Sequence, residues 1–159
     1  MSSLHEKPLT QRGRDTPSVR QVSVFTENRL GALAKLLEVF EDSDVRILAL
    51  SVIQGFDCAI IRFVFSHTDD ATKLLFDASY RFSVCDLVAV QMPPGHHSLI
   101  RLTKALLSAE VDIHYCYALI TSEFHPPTIV IHVDNPALAT AVLEQKKFVL
   151  LDESDLKLQ

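Results

Sequence analysis

Along the chain, short runs of alternating apolar residues are separated by segments in which apolar residues recur every three or four positions. Val19 to Thr26 alternates, with Val22 and Val24 on one face and Ser23 between them, as a strand does. Leu33, Leu36, Leu37 and Phe40 follow at helical spacing, and the EDSD run (Glu41 to Asp44) ends that helix. Two β-rich runs come next, Val45 to Gln54 and Asp57 to Ser66, joined at Gly55-Phe56. This is a hairpin signal, with Gly55 expected to supply a permissive backbone. From Thr68 to Tyr80, Ala71, Leu74, Leu75 and Ala78 mark another helix face, with Thr68 or Asp69 as its expected cap. Phe82 to Met92 then reads as a strand long enough to serve two purposes. The order β-α-β-β-α-β is the split βαβ arrangement of ferredoxin-like folds.

The series then restarts. PPGHH is a loop, and Leu99, Leu102, Leu106 and Leu107 make a helix face. VDIHYCYALITS and PPTIVIHV form a second hairpin, Pro136 to Gln145 a short helix, and KKFVLL a last strand. A shift of 66 positions (Leu33 to Leu99) also superimposes Leu36 on Leu102, Val45 on Val111, Ile47 on Ile113 and Phe65 on Ile131. The same shift sets Ala71 on Ala137 and Phe82 on Phe148. The expected fold is therefore α+β, with two ferredoxin-like βαββαβ units, each an antiparallel four-stranded sheet with its helices on one face. A flexible leader is expected over 1–18, a first unit over 19–86 and a second over 87–159, with strand 82–92 shared at the boundary. Open sheet edges predict that the units pair edge to edge or face to face, and that the chain forms a homodimer through sheet edges or helices.

Charge and composition narrow the function. A net charge of −5 with no basic run excludes a nucleic-acid footprint. No apolar run approaches the roughly 18 residues of a membrane span. The first residues lack the apolar core of a secretory signal. Cys58, Cys85 and Cys116 are odd in number and lack CxxC spacing, so reduced, mostly buried thiols and a cytoplasmic location are expected. Neither GxSxG nor a phosphate-cradling glycine loop occurs, and no cysteine sits on a strained elbow, so an enzyme is not expected and no cofactor is implied. His96, His97, His114, His125 and His132 fall in the second unit with Cys116 and raise metal binding as an alternative. His114 and Cys116 lie two apart on a strand and so face one way. The topology nevertheless separates His114 from the His96-His97 loop, leaving His125 as its one expected neighbour. Tyr115 and Tyr117 share the other face, to line a pocket or lie on the helices.

VSVFTENRLGALAKLLEVFEDSDVRILAL resembles the opening of an ACT domain: a strand, a loop with Asn-x-x-Gly, a helix, then a strand beginning Val-x-Ile. LVAVQMPPGHHSLIRLTKALLSAEVDIHYCYAL fits the same outline, so Val19 to Leu151 resembles a stand-alone tandem ACT protein. The resemblance implies a non-enzymatic regulatory protein that binds a small molecule, usually an amino acid. Its ligand loop would be Asn28, Arg29, Leu30, Gly31 and Ala32, whose helix-start amides and macrodipole suit a carboxylate. Asn28 would meet the ammonium, and Leu50, Ser51, Val52 and Ile53 would supply backbone groups and an apolar wall. The plain structural alternative is that Asn28 caps the helix and Gly31 eases a turn. Leu30 stands where the family often has Pro. In the second unit Gly95, His96, His97 and Ser98 form the corresponding, weaker loop, with His97 at the position of Gly31. A further alternative is a regulatory subunit of an amino-acid biosynthetic enzyme such as acetolactate synthase, which would make that enzyme the partner.

Overall fold

The computed structural model describes residues 16–120 and 126–157. In chain order the elements are β1 (Val19–Glu27), α1 (Ala32–Glu38), β2 (Ile47–Gln54), β3 (Cys58–Phe65), α2 (Thr68–Asp77) and β4 (Arg81–Gln91). They continue as α3 (Ser98–Ser108), β5 (Ile113–Ala118), β6 (Thr128–Val133), α4 (Pro136–Gln145), β7 (Val149–Leu151) and α5 (Glu153–Lys157). Every described strand pair is antiparallel. The first βαββαβ set has the order β2-β3-β1-β4, and the second repeats it as β5-β6-β4-β7. Both orders hold because β4 is used twice. Arg81 to Leu87 pairs with β1, and Val88 to Gln91 pairs with β6 and, in part, with β7.

Strand alternation sorts the residues into three cores. Val22, Val24, Ile61, Phe63 and Phe65 point to α1 and α2 and bury against Leu36, Phe40, Ala71 and Leu75. Val88, Val90, Ile131 and Val133 do the same against Leu102, Leu106, Ala139 and Leu143 of α3 and α4. Residues of opposite parity, among them Val19, Val64, Leu87, Ala89 and Val130, join a third core with Leu48, Leu119 and Leu156. The coiled sheet thus folds its helix-free faces onto each other across β4, with the helices outside. Its far edges meet as well, where the Ile120 N–H donates to the Leu48 carbonyl. Tyr115 and Tyr117 lie in this inner layer and not on the helices.

The repeat persists in structure with one correction. Both second strands carry an irregularity at the same relative place, between Ile47 and Ala49 and between Ile113 and Tyr115. The offset grows by two within the hairpin: Ile47 pairs with Phe65 and Ile113 with Val133, so Val133, and not Ile131, is the counterpart of Phe65. The helix caps are His67 and Asn135, and the buried alanines are Ala71 and Ala139. Ala137, which a constant shift places opposite Ala71, is exposed. By the same reasoning Tyr80, not Phe82, is the counterpart of Phe148: each follows a residue with positive φ and returns its N–H to the preceding helix.

Those helix ends explain how the chain turns with so few glycines. Ser79 (φ 62°), Glu110 (φ 55°) and Lys147 (φ 65°) take left-handed conformations after α2, α3 and α4. After each, the next N–H reaches five residues back, as in Tyr80 to the Leu75 carbonyl at 2.9 Å, which satisfies carbonyls the helix leaves open. The expected cap of α2 by Thr68 or Asp69 is not formed. His67 occupies the cap position, and the Thr68 hydroxyl donates to Glu153 at 3.4 Å. At α4 the Asn135 side chain accepts from the Leu138 N–H at 3.1 Å, with Pro136 beginning the helix.

α5 ties the end of the second unit to the first. Buried Arg20 on β1 donates to both carboxylate oxygens of Glu153 and, at 2.7 Å, to Asp69 on α2. Leu156, one turn on, is fully buried in the inner core. The cysteines depart from expectation: Cys58 and Cys116 are exposed and only Cys85 is partly buried. Cys58 opens β3 beside the hairpin and Cys116 lies on edge strand β5, positions where alternation alone does not bury a side chain.

Candidate functional site

The β1–α1 turn is built around a left-handed backbone. Gly31 has φ 84° and forms the N-cap of α1 without a side-chain cap. A Cβ at Gly31 would meet nothing within 4 Å, so glycine is required there for conformation and not for space. Gly55 is the converse. Its φ is not positive, but a Cβ would stand 3.1 Å from the Cys58 carbonyl oxygen, a tight contact that the hairpin would have to ease by a few tenths of an ångström.

Asn28 does not cap α1. Its Nδ2 donates to the Gly55 carbonyl at 2.9 Å, tethering the turn to the β2–β3 hairpin and leaving Oδ1 as an acceptor. Two amides of the turn are engaged internally, Arg29 with the Glu27 carbonyl and Ala32 with the Arg29 carbonyl. The Ala32 amide is thus held within the turn, while no backbone carbonyl among the described residues takes the Leu30 or the Gly31 amide. Arg29 also pairs with Glu27 at 3.1 Å, on the surface. Leu30 is fully exposed. Thr26 Oγ1, two residues before Asn28, is buried without a hydrogen-bond partner.

The β2 residues lie at the same end of the sheet, since Ile53 pairs with Ile60 and Ile60 with Phe25. Leu50 and Val52 share the helix face with Phe63 and Ile61, while Ser51 and Ile53 turn to the inner face. Leu50 and Ser51 are half-buried, and Val52 and Ile53 are exposed. In the second loop Gly95 has φ 116°, His97 is the uncapped N-cap of α3, and Gly95, His96 and His97 are exposed while Ser98 is half-buried. The two loops lie at opposite ends of β4, whose ten residue steps span about 33 Å. One small ligand cannot touch both within a chain.

Sequence reasoning missed the polar cluster between the sheets. Buried Gln21 on β1 donates through Nε2 to Tyr115 Oη at 2.8 Å, Ser23 Oγ at 3.1 Å and Cys85 Sγ at 3.4 Å, and its Oε1 accepts from Tyr117 Oη at 2.7 Å. Burial raises both tyrosine pKa values and that of Cys85, so all three stay protonated near neutrality. The Arg62 guanidinium lies 3.6 Å over the Tyr115 ring, and His132 stacks on the same ring at 4.8 Å. The one available signal was Gln21 itself, an amide inside a strand bounded by valines.

The bulge in β5 brings His114 against His132, with their Nδ1 atoms 3.0 Å apart, whereas Cys116 lies opposite Ile131. Asp112 is 3.8 Å from the far nitrogen of His114. Among the described residues no three His, Cys, Asp or Glu side chains gather as a metal site would need. His125 lies outside the described residues. A cleft of about 530 Å³ opens between the α1–β2 connection and α2, lined by Asp44, His67, Asp70, Lys73 and Asp77 among others. It includes none of the expected site residues. Among the described residues no helix is long and apolar enough to cross a membrane.

Two ferredoxin-like units are joined through one strand, each with an uncapped turn leading into its first helix. The chain belongs to the ACT domain pair family, whose model matches residues 17–158. A solved structure from Bacteroides thetaiotaomicron is similar at 28% identity, with 91% of this chain and 99% of that chain covered and a TM-score of 0.81. The regulatory subunit of aspartate kinase from Thermus thermophilus shares the fold at 13% identity, with 82% and 93% covered and a TM-score of 0.55. The corresponding Thermus flavus subunit is similar at 13% identity over 82% and 93%, with a TM-score of 0.52. No functionally curated protein matches the chain.

Proposed function

We propose that this protein is a non-enzymatic sensor that binds a free amino acid at the β1–α1 turn, Asn28 to Ala32, beside Leu50 to Ile53 of β2. The observation that carries the reading is the Asn28–Gly55 tether, which holds an exposed turn against the exposed end of β2. In this reading the Asn28 Oδ1 accepts from the ligand ammonium. The Leu30 and Gly31 amides, at the positive end of α1, take the carboxylate, and Val52, on the helix face of β2, covers the side chain. A calorimetric and thermal-shift screen of the twenty amino acids tests it. Binding by one or a few, weakened by Asn28→Ala, is expected; no binder at millimolar concentration overturns it.

A second reading makes the chain a regulatory subunit of a biosynthetic enzyme. It is supported by large apolar side chains at the surface of α3, where Leu99, Ile100 and Leu107 are 58%, 50% and 74% exposed. Exposed apolar side chains of this size on one helix fit a protein partner better than open water. Co-purification of an enzyme in stoichiometric amount from native lysate favours this reading, and loss of that enzyme on Leu107→Glu ties it to α3.

A further inference from the structure

The inner face of the first sheet extends beyond what the second sheet covers, and its residues lie in rows across the strands. One row joins Ser51 on β2, Arg62 on β3, Ser23 on β1 and Ser83 on β4 through consecutive pairings. The next row outward joins Ile53, Ile60 and Phe25, ending at Arg81. Ile53 and Phe25 are 40% and 39% exposed, so this row forms an open apolar shelf.

Arg62 stands at the boundary between the covered and open rows. Its guanidinium is half-buried against Tyr115, and no carboxylate among the described residues lies within ion-pair distance of it. Stacking on an aromatic ring uses the face of a guanidinium and leaves its in-plane N–H groups free, in the fork geometry that fits a carboxylate. A half-buried guanidinium with no carboxylate beside it among the described residues can still accept one. Arg81 adds positive charge one row out. The nearest acidic side chain on this face, Glu27, is two rows away and paired with Arg29. Neither row holds a carboxylate to pair with an ammonium.

We propose that this inner face is a binding site for a small monocarboxylate with an apolar chain. The carboxylate is held by the in-plane N–H groups of Arg62 with the Ser51 hydroxyl, and the chain lies on Phe25, Ile53 and Ile60. The site lies on the face of β2 opposite Leu50 and Val52, makes no use of the β1–α1 turn, does not require a free amine, and adjoins the layer where the two units meet.

Isovalerate, which has the carboxylate and branched chain but no amine, is the probe. In the full chain, nitrogen–proton NMR of the arginine Nε–H groups is expected to show a saturable shift of the Arg62 signal. Arg62→Gln raises the isovalerate Kd by roughly tenfold or more, the loss of a charged hydrogen bond. Ile53→Asp, at an exposed position that leaves the fold intact, weakens binding to a similar degree by repulsion. No saturable Arg62 shift, or isovalerate binding that survives both substitutions, overturns the proposal. Amino-acid binding measured on Arg62→Gln keeps the two readings apart. If it persists while isovalerate is silent in the unaltered protein, this site fails and the turn site stands.

Discussion

Gln21 and Tyr115 are 94 positions apart in sequence, and the Gln21 amide donates to the Tyr115 hydroxyl at 2.8 Å across the layer between the two sheets. With the Tyr117 hydroxyl on the other end of the same amide, one glutamine is satisfied only when the second sheet lies in one register over the first. Gln21→Leu is expected to leave both hydroxyls short of a partner and to cost about 2–4 kcal/mol. Adding Tyr115→Phe and Tyr117→Phe to Gln21→Leu should recover much of that loss. Urea denaturation of the single and triple variants measures it, and equal losses in both would show that the hydrogen bonds are not what matters.

Arg20 and Glu153 make the second long-range tie. Arg20 is 9% exposed at its side chain and Glu153 is 23% exposed, whereas Asp69 is 72% exposed. Glu153→Ala leaves buried Arg20 with only the exposed Asp69 carboxylate and is expected to cost about 3 kcal/mol. Asp69→Ala removes an exposed contact and should cost under about 1 kcal/mol. Denaturant midpoints of the two variants should therefore differ clearly, and similar values would count against α5 as a strap.

Acid should weaken the same layer. The His132 pKa is lowered from 6.5, first by burial, then by the neighbouring charges of His114 and Arg62. Since the folded pKa lies below the unfolded one, the unfolded chain binds the proton first. Stability is complete above the unfolded value, falls as pH drops through 6.5 towards the folded pKa, and levels off below it. Denaturant midpoints measured from neutral to mildly acid pH should show this slope, and His132→Gln should flatten it.

Backbone need separates the two glycines at the proposed turn site. Gly31→Ala should cost about 1 kcal/mol from the left-handed conformation alone, and Gly31→Asn less. Gly55→Ala forces the hairpin to move around the Cys58 carbonyl and should also loosen the Asn28 tether. Thermal unfolding ranks the variants. A harmless Gly31→Ala would mean that the turn adopts another backbone.

Thiol reactivity checks the strand faces. Cys58 and Cys116 should react quickly with a thiol reagent in the folded chain, and Cys85 slowly. Burial raises the Cys85 pKa and keeps it as the thiol, with Gln21 against its sulfur. Three equally fast thiols would contradict the inner position of Cys85.

Local patterns in the chain determined the elements and their doubling. Alternation marked the strands, three-to-four spacing marked the helices, and the offset from Leu36 to Leu102 revealed the repeat, because each depends on neighbours a few residues away. They also marked Gly31, whose left-handed turn is a local backbone property. Only the tertiary structure decided which sheet faces meet, since each helix-free face is about equally apolar whether it finds its own sheet, another unit or a second chain. The partners of Gln21, Arg20 and Asn28 were hidden for the same reason: a hydrogen bond across 94 positions leaves no local periodicity. The two-residue growth of the repeat before α4 stayed hidden because Ala137 and Ala139 are identical as letters, and only burial distinguishes them. Arg62 reads in sequence as one charge within a strand; the ring of Tyr115 above it and the lack of a nearby carboxylate among the described residues are what make it a candidate site.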